Sequence, residues 1–346
     1  MNFATILGLM SFALWLVLLL YRGRYWEDAA QASRRPNPLR PKFGRPLPTR
    51  EEPSDSPAAA LPEVVIIVPV LNNGRNIRRV LSSLLAQDYP NLRLVILVDQ
   101  QSSDSSLEIA RTIVPNPADS PFRTLHLLPH SPLPPEWSSR TWALSQALIF
   151  AKNQSPTAEL VWIADPETLQ GSGMLRSLVQ MLELEGRDMV SIMPELPVTN
   201  LIERITVPAY HYFFSLVTPY NWVNDPVSRS AAAGSSILLR RASFERIGGI
   251  IPIVGEDENT ALAAAIKAIG TIKIANSDQA VSIKTYDTMA DLRKLLALVV
   301  PVQQKHPIFT HSIFMGGLLL GFIAPPLLVI FASGVAQFFG FLTWVM

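Results

Sequence analysis

Val64-Val65-Ile66-Ile67-Val68-Pro69-Val70-Leu71-Asn72-Asn73 is a β-branched apolar run that ends abruptly in a polar loop. A continuous apolar run of this length suits a strand covered on both faces, as in sheets sandwiched by helices. The chain on either side repeats the theme. Between Asn76 and Ala86, the apolar residues Ile77, Val80, Leu81, Leu84 and Leu85 fall on one helical face. Leu92 to Asp99 reads as the second strand, Ser105 to Ile113 as a helix, Phe122 to Leu127 as a third strand and Trp142 to Lys152 as a third helix. A fourth strand, Leu160 to Ala164, stops at Asp165. Strands alternating with helices predict a mostly parallel sheet, with ligands beyond the carboxyl ends of its strands. Asn72, Asn73, Asp99 and Asp165 stand at those ends.

The 346 residues suffice for one large α/β domain plus membrane segments. A net charge of +1 provides no global field to recruit nucleic acid. The absence of cysteine removes disulfides, thiolate metal sites and thiol nucleophiles. Mean hydropathy is +0.24, with the apolar excess at the two ends. Phe3 to Leu20 carries no charge and, at about 1.5 Å per helical residue, matches a bilayer's hydrocarbon thickness. Basic residues follow it, among them Arg22, Arg24, Arg34 and Arg35, which predicts an uncleaved anchor with the next domain in the cytoplasm, at the inner membrane. The expected division is 1–21 anchor, 22–62 basic Pro-rich linker, 63–305 folded domain and 306–346 C-terminal membrane segment. The linker is either a solvated spacer or lies on anionic headgroups. From Ile313 to Met346 there is no Asp, Glu, Lys or Arg, so this end is one long span or two short helices broken at Pro325–Pro326. Residues 201–222, rich in Ile, Tyr and Phe, read either as an interfacial helix that brings lipid to the site or as a helix packed on the sheet.

Asp165-Pro166-Glu167 directly follows a buried strand. Two carboxylates on one turn suit Mg2+ or Mn2+, which favour oxygen ligands and keep positions open for phosphates. Such acids also simply cap strands and helices, and the tripeptide alone leaves both readings open.

The order of these pieces resembles family 2 glycosyltransferases. Val64 to Asn73 is similar to their V-I-V-P-x-x-N-E opening, Val98-Asp99-Gln100-Gln101-Ser102-Ser103-Asp104 to D-D-x-S-x-D, and Asp165-Pro166-Glu167 to D-x-D. Leu133-Pro134-Pro135-Glu136-Trp137 through Ala143, Tyr220 to Pro226 and Ala231 to Arg241 resemble, more narrowly, hopanoid (hopene)-associated glycosyltransferases. The resemblance implies a GT-A domain, Rossmann-like with a mostly parallel sheet, flanked by N- and C-terminal transmembrane helices. It also implies a nucleotide-diphosphate-sugar donor (a UDP-sugar favoured), a divalent cation and a lipid or lipid-linked acceptor. Carried over by position, Pro69, Val70, Leu71, Asn73 and Asp99 line the nucleotide pocket, Arg140 contacts the donor phosphates where the family has Lys, and Asp165 and Glu167 hold the metal. Asp104 caps the following helix. The acceptor-activating base falls among Glu256, Asp257 and Glu258, with Asp257 preferred and Glu258 next. The same acids suit the N-terminus of a helix.

The sequence departs from the family pattern at Asn73 (usually Glu), Gln100 (Asp), Glu167 (Asp) and Asn259, where strict spacing expects the basic Asp. No Q-x-x-R-W is present, which favours transfer of one sugar over polymerisation. The alternative is a GT-A-fold membrane protein that binds nucleotide-sugar or lipid without transfer.

Overall fold

The computed structural model describes residues 2–26, 61–113, 124–250, 258–284 and 307–346. It divides into two compact units, one of residues 1–30, 210–221 and 288–346, the other of residues 31–209 and 222–287.

The larger unit is built on an eight-stranded sheet in the order β3-β2-β1-β4-β7-β6-β8-β5. Its first half is parallel: β1 (Val64–Val70) lies between β2 (Leu92–Asp99) and β4 (Leu160–Ile163), and β3 (Thr124–Leu128) pairs outside β2. β7 (Ser236–Arg240) runs antiparallel between β4 and β6 (Met189–Glu195), β8 (Ile272–Ser282) is parallel to β6, and the short β5 (Thr168–Gln170) closes the edge antiparallel to β8. Every residue of β1 is buried, as a strand covered on both faces requires. One face carries Val64, Ile66, Val68 and Val70 against Val80, Leu81 and Leu84 of α2 (Ile77–Leu85) and Leu175, Leu178 and Leu182 of the helix Met174–Leu184. Trp162 belongs to the same cluster and spends its indole N–H on Ser236 Oγ at 2.8 Å.

Helix α2 spans almost the predicted residues, because its apolar period is strong. The helix Ser139–Gln154 starts three residues ahead of the expected Trp142, because Ser138 Oγ accepts the Thr141 N–H and caps it. The third strand is described over Thr124–Leu128; Phe122 and Arg123 of the expected Phe122–Leu127 lie outside the described residues.

In the smaller unit, α1 (Phe3–Tyr21) and the helical run Ser312–Phe331 are each long and apolar enough to cross a membrane by length and composition. Of the two readings left open for this end, the break at Pro325–Pro326 does not occur. The helix instead widens into a π turn at Leu319–Ile323 and continues through both prolines. Prolines cannot donate to the preceding carbonyls. Two of those carbonyls find donors on α1: Ser11 Oγ donates to Leu320 O at 2.7 Å and Trp15 Nε1 to Gly321 O at 2.9 Å. The true break is at Gly334, whose φ of 63° lies in the left-handed region open to glycine, and the helix Val335–Val345 follows.

The helix Leu201–Val217, with Pro208 inside it, contains the division between the units, which falls between Ala209 and Tyr210. Its Tyr212 and Phe213 rings meet Phe322 at 6.0 and 5.6 Å, and Tyr212 meets Tyr25 at 5.6 Å. These aromatics therefore pack on the terminal helices of their own unit. Arg22, expected in a basic flank, donates to Leu216 O and Val217 O, each at 2.8 Å.

Candidate active site

The carboxyl rim of the parallel half collects the predicted polar residues. β1 pairs with β2 so that Val70 stands beside Asp99, and with β4 so that Ile67 stands beside Ile163, two residues before Asp165. The loop leaving β1 therefore lies between the two acids, and it is tied to both sides. Asn72, held at φ 50°, accepts the Ser103 N–H through Oδ1 at 2.8 Å, and its own N–H goes to Ser102 Oγ at 3.1 Å. On the other side, the Asn73 amide Nδ2 donates to Pro166 O. This buried residue also sends its backbone N–H to Ser106 Oγ at 2.8 Å. The departure from Glu at position 73 thus has a physical reading: an ionised carboxylate has no proton to give a carbonyl, whereas an amide has two.

Asp99 is 3% exposed. Its two oxygens face the Ser102 N–H at 3.2 and 3.1 Å, and His130 Nδ1 stands 3.6 Å from Oδ2. Asp99, Gln100, His130, Trp142 and Gln146 line one cleft. Pro69 and Val70 are buried in the strand, so their side chains face the core, and Val70 O accepts the Gln100 N–H; Leu71 is exposed. Asp104 accepts from Gly74 N at 2.8 Å and Ser106 N at 3.0 Å, which ties the start of the short helix Ser106–Arg111 to the β1 loop. Burial pushes its pKa up, but the hydrogen bonds from Ser106 and Gly74 outweigh this and hold the carboxyl below its ordinary range.

Asp165 folds its carboxylate onto its own turn, accepting Glu167 N at 2.9 Å and Thr168 Oγ1 at 2.8 Å. Each oxygen keeps a further lone pair. Glu167 is engaged by Lys284 Nζ at 3.0 Å. Two carboxylates on one turn, both partly exposed, fit a hard cation that retains waters and takes its remaining ligands from a substrate's phosphates. No third His, Asp or Glu joins them among the described residues.

Of the acids of the 256–258 run, only Glu258 falls among the described residues, and it meets Arg140. Glu256 and Asp257 lie outside the described residues. Glu258 opens the helix Glu258–Lys267, and its carboxylate is turned into a latch: Ser138 Oγ donates to Oε1, and Arg140 Nη1 stands 3.5 Å from Oε2. Arg140 also donates to Asn259 Oδ1 at 2.9 Å, and Asn259 Nδ2 donates to Gly234 O at 3.2 Å. Asn259 thus serves as a bridge between Arg140 and the loop before β7. Gly234 is required there, because a Cβ would stand 2.0 Å from Ile192 O. In the Tyr220–Pro226 stretch, Asn224 is structural, accepting Ile274 N at 2.8 Å and donating to Ile274 O at 3.1 Å along the edge of β8. Ser138, His130 and Lys284 went unread in the sequence; each acquires its partner only through tertiary pairing.

A half-parallel sheet with acids at the ends of its second and fourth strands, joined through the loop of the first, is the GT-A class of architecture. The chain belongs to the glycosyltransferase-like family 2, whose family model matches residues 62–282. It is thereby a glycosyltransferase. No curated protein sequence matches the chain. Among solved structures, it is similar to the mannosyltransferase PcManGT from Pyrobaculum calidifontis in complex with GDP-Man and Mn2+, at 19% identity and a TM-score of 0.53, covering 99% of this chain and 86% of that one. Two further similar structures are S. aureus TarS 1-349 in complex with UDP (16% identity, TM-score 0.41, covering 75% of this chain and 72% of that one) and glucosyl-3-phosphoglycerate synthase from Mycobacterium tuberculosis with Mn2+, UDP and glucosyl-3-phosphoglycerate (16%, 0.43, covering 74% and 80%). The first of these likenesses supports the shared fold.

Proposed function

We propose that the protein transfers a single sugar, with inversion, from a nucleotide-diphosphate-sugar to a lipid or lipid-linked acceptor at the membrane. The observation that carries this reading is the shared rim: the Asn72–Asn73 loop joins the Asp99 loop to the Asp165–Glu167 turn. Asp99, nearly buried and facing a cleft, suits the acceptance of a base N–H. Asp165 and Glu167 would hold Mn2+ or Mg2+, which when bound offsets the charge of a diphosphate leaving group. A UDP-sugar is the favoured donor, and GDP-mannose is the first alternative, being the ligand of the Pyrobaculum calidifontis mannosyltransferase.

Since Glu258 is committed to Ser138 and Arg140, Asp257 is the preferred base. It would take the proton of an acceptor hydroxyl as that oxygen attacks the anomeric carbon. The nucleoside diphosphate leaves from the opposite face with the bonding electron pair. Arg140, one-quarter exposed, holds Asn259 and Glu258 through Nη1 and would offer its other N–H groups to the donor phosphates.

Membrane attachment rests on α1 and Ser312–Phe331, of which 17% and 22% are buried. Core helices of a soluble protein would hide most of such apolar surface. The basic residues that follow α1 support a cytoplasmic catalytic unit. The narrower suggestion of a hopanoid-type acceptor comes from the Leu133–Ala143 and Tyr220–Pro226 stretches.

The test is a donor screen on the purified full chain with Mn2+, measuring released nucleoside diphosphate with and without lipid extract. Asp165→Ala is expected to lower turnover by at least 100-fold. Turnover that survives this substitution unchanged removes the cation site; nucleotide binding without turnover across all donors and lipids selects the non-transferring alternative.

A further inference from the structure

Glu167 has two competing claims on its carboxylate: the cation it would help to hold, and the ammonium of Lys284 at 3.0 Å. The pairing follows from the sheet. β5 runs antiparallel to β8 with Thr168 beside Ser282, and the ladder extends one step further, where Ile283 N donates to Glu167 O at 2.8 Å. Lys284 therefore leaves the end of β8 directly alongside the acidic turn, although 117 residues separate it from Glu167. Both side chains are roughly half exposed, 49% for Lys284 and 43% for Glu167. An ion pair so exposed adds ~0–1 kcal/mol to stability, so holding the fold together does not account for it. Exchanging the partner of such an ammonium for another anion is correspondingly cheap. The residues around it share one feature, their place at the end of the sheet where Asp165, Asn73 and Pro166 meet.

We propose that Lys284 is a donor-binding residue of this site, an ammonium that pairs with Glu167 when the site is empty and with the donor's diphosphate when it is filled. This rests on the nucleotide-sugar reading above. A flexible lysine is suited to the role, since its compact charge on a four-carbon stem accepts a new oxygen partner without a fixed fork geometry. With Glu167 engaged by a cation at the Asp165–Glu167 turn, Lys284 would exchange its carboxylate partner for the donor's phosphates. Glu167 thus keeps the ammonium at the rim in the meantime.

Titration calorimetry of the full chain in detergent, with UDP and with GDP and in either EDTA or Mn2+, separates the possibilities. In EDTA, Lys284→Gln is expected to weaken binding of the nucleoside diphosphate about 10-fold, the loss of one charge-assisted contact. Lys284→Arg should restore most of it, and the weakened binding should depend less steeply on salt. The unfolding midpoint of Lys284→Gln should match that of the parent, since the pair is exposed. A purely neutralising role for Lys284 predicts the opposite pattern: unchanged nucleotide affinity in EDTA and tighter Mn2+ binding as Glu167 is freed. That pattern overturns the proposal while leaving the donor reading intact. A parent chain that binds neither nucleotide overturns both.

Discussion

Replacing Asn73 by Asp changes one amide nitrogen to oxygen and almost no volume, yet it reverses the polarity of a buried contact. Asn73 Nδ2 donates to Pro166 O, joining the loop after β1 to the Asp165–Glu167 turn, and the residue is 7% exposed. Asn73→Asp deletes that hydrogen bond and points an ionised oxygen at a carbonyl oxygen. The lost bond and the unsatisfied carbonyl together cost about 2–3 kcal/mol. With a urea slope of about 1–3 kcal/mol per molar, the unfolding midpoint should fall by roughly 1 M or more at pH 8. Protonation restores a donor, so the new carboxyl should titrate above its unfolded value of about 3.9. A group whose folded pKa is raised contributes stability that is complete below the unfolded pKa and lost as pH rises through the folded one. The deficit of Asn73→Asp should therefore shrink between pH 8 and pH 4.5, whereas Asn73→Ala, which has no proton to regain, should show a similar deficit at both. Urea titrations of the full chain in detergent, followed by tryptophan fluorescence, measure both. Equal midpoints for Asn73→Asp and the parent at pH 8, or a deficit that ignores pH, would refute the contact.

Other expectations follow from the same geometry. Gly234→Ala should lower the unfolding midpoint by the equivalent of about 1–3 kcal/mol or more, because the new Cβ meets the Ile192 carbonyl, which is backbone and cannot swing aside. The same change should reduce turnover by displacing the partner of Asn259. Burial pushes His211 down to about 4. In the unfolded chain the ring charges near its ordinary 6.5, so between the two values the unfolded state binds the extra proton and stability falls as pH drops. The loss approaches about 3 kcal/mol by pH 4, and His211→Phe should flatten the stability profile over that window. Parallel profiles for the two proteins would contradict this.

The parallel half of the sheet is legible in the sequence because each strand there is a short, continuous apolar run and α2 repeats with a helical period. Val64–Val70 and Leu92–Asp99 coincide with the reading, and Asp99 and Asp165 stand at strand ends as expected. β5 to β8 went unread. β5 has three residues, and β8, Ile-Lys-Ile-Ala-Asn-Ser-Asp-Gln-Ala-Val-Ser, is too polar to announce a strand; its order comes from pairing with β6. The same holds at the site. The positions of the acids follow from local sequence, but the Ser138–Glu258 latch, the Arg140–Asn259 bridge and the Glu167–Lys284 pair join residues more than a hundred apart. Glu258, a candidate base by its neighbourhood in sequence, is thereby occupied. Pro325–Pro326 left the choice between a span and a break open for a related reason: the cost of a proline in a helix assumes unpaired carbonyls, and here α1 provides the donors.

That supply makes the N-terminal helix something other than an interchangeable tether. A poly-leucine segment of the same length would be just as apolar, yet it would leave the Leu320 and Gly321 oxygens without their hydrogen-bond donors. Replacing α1 by another apolar helix should therefore loosen the distant C-terminal helices unless Ser11 and Trp15 are grafted along with it.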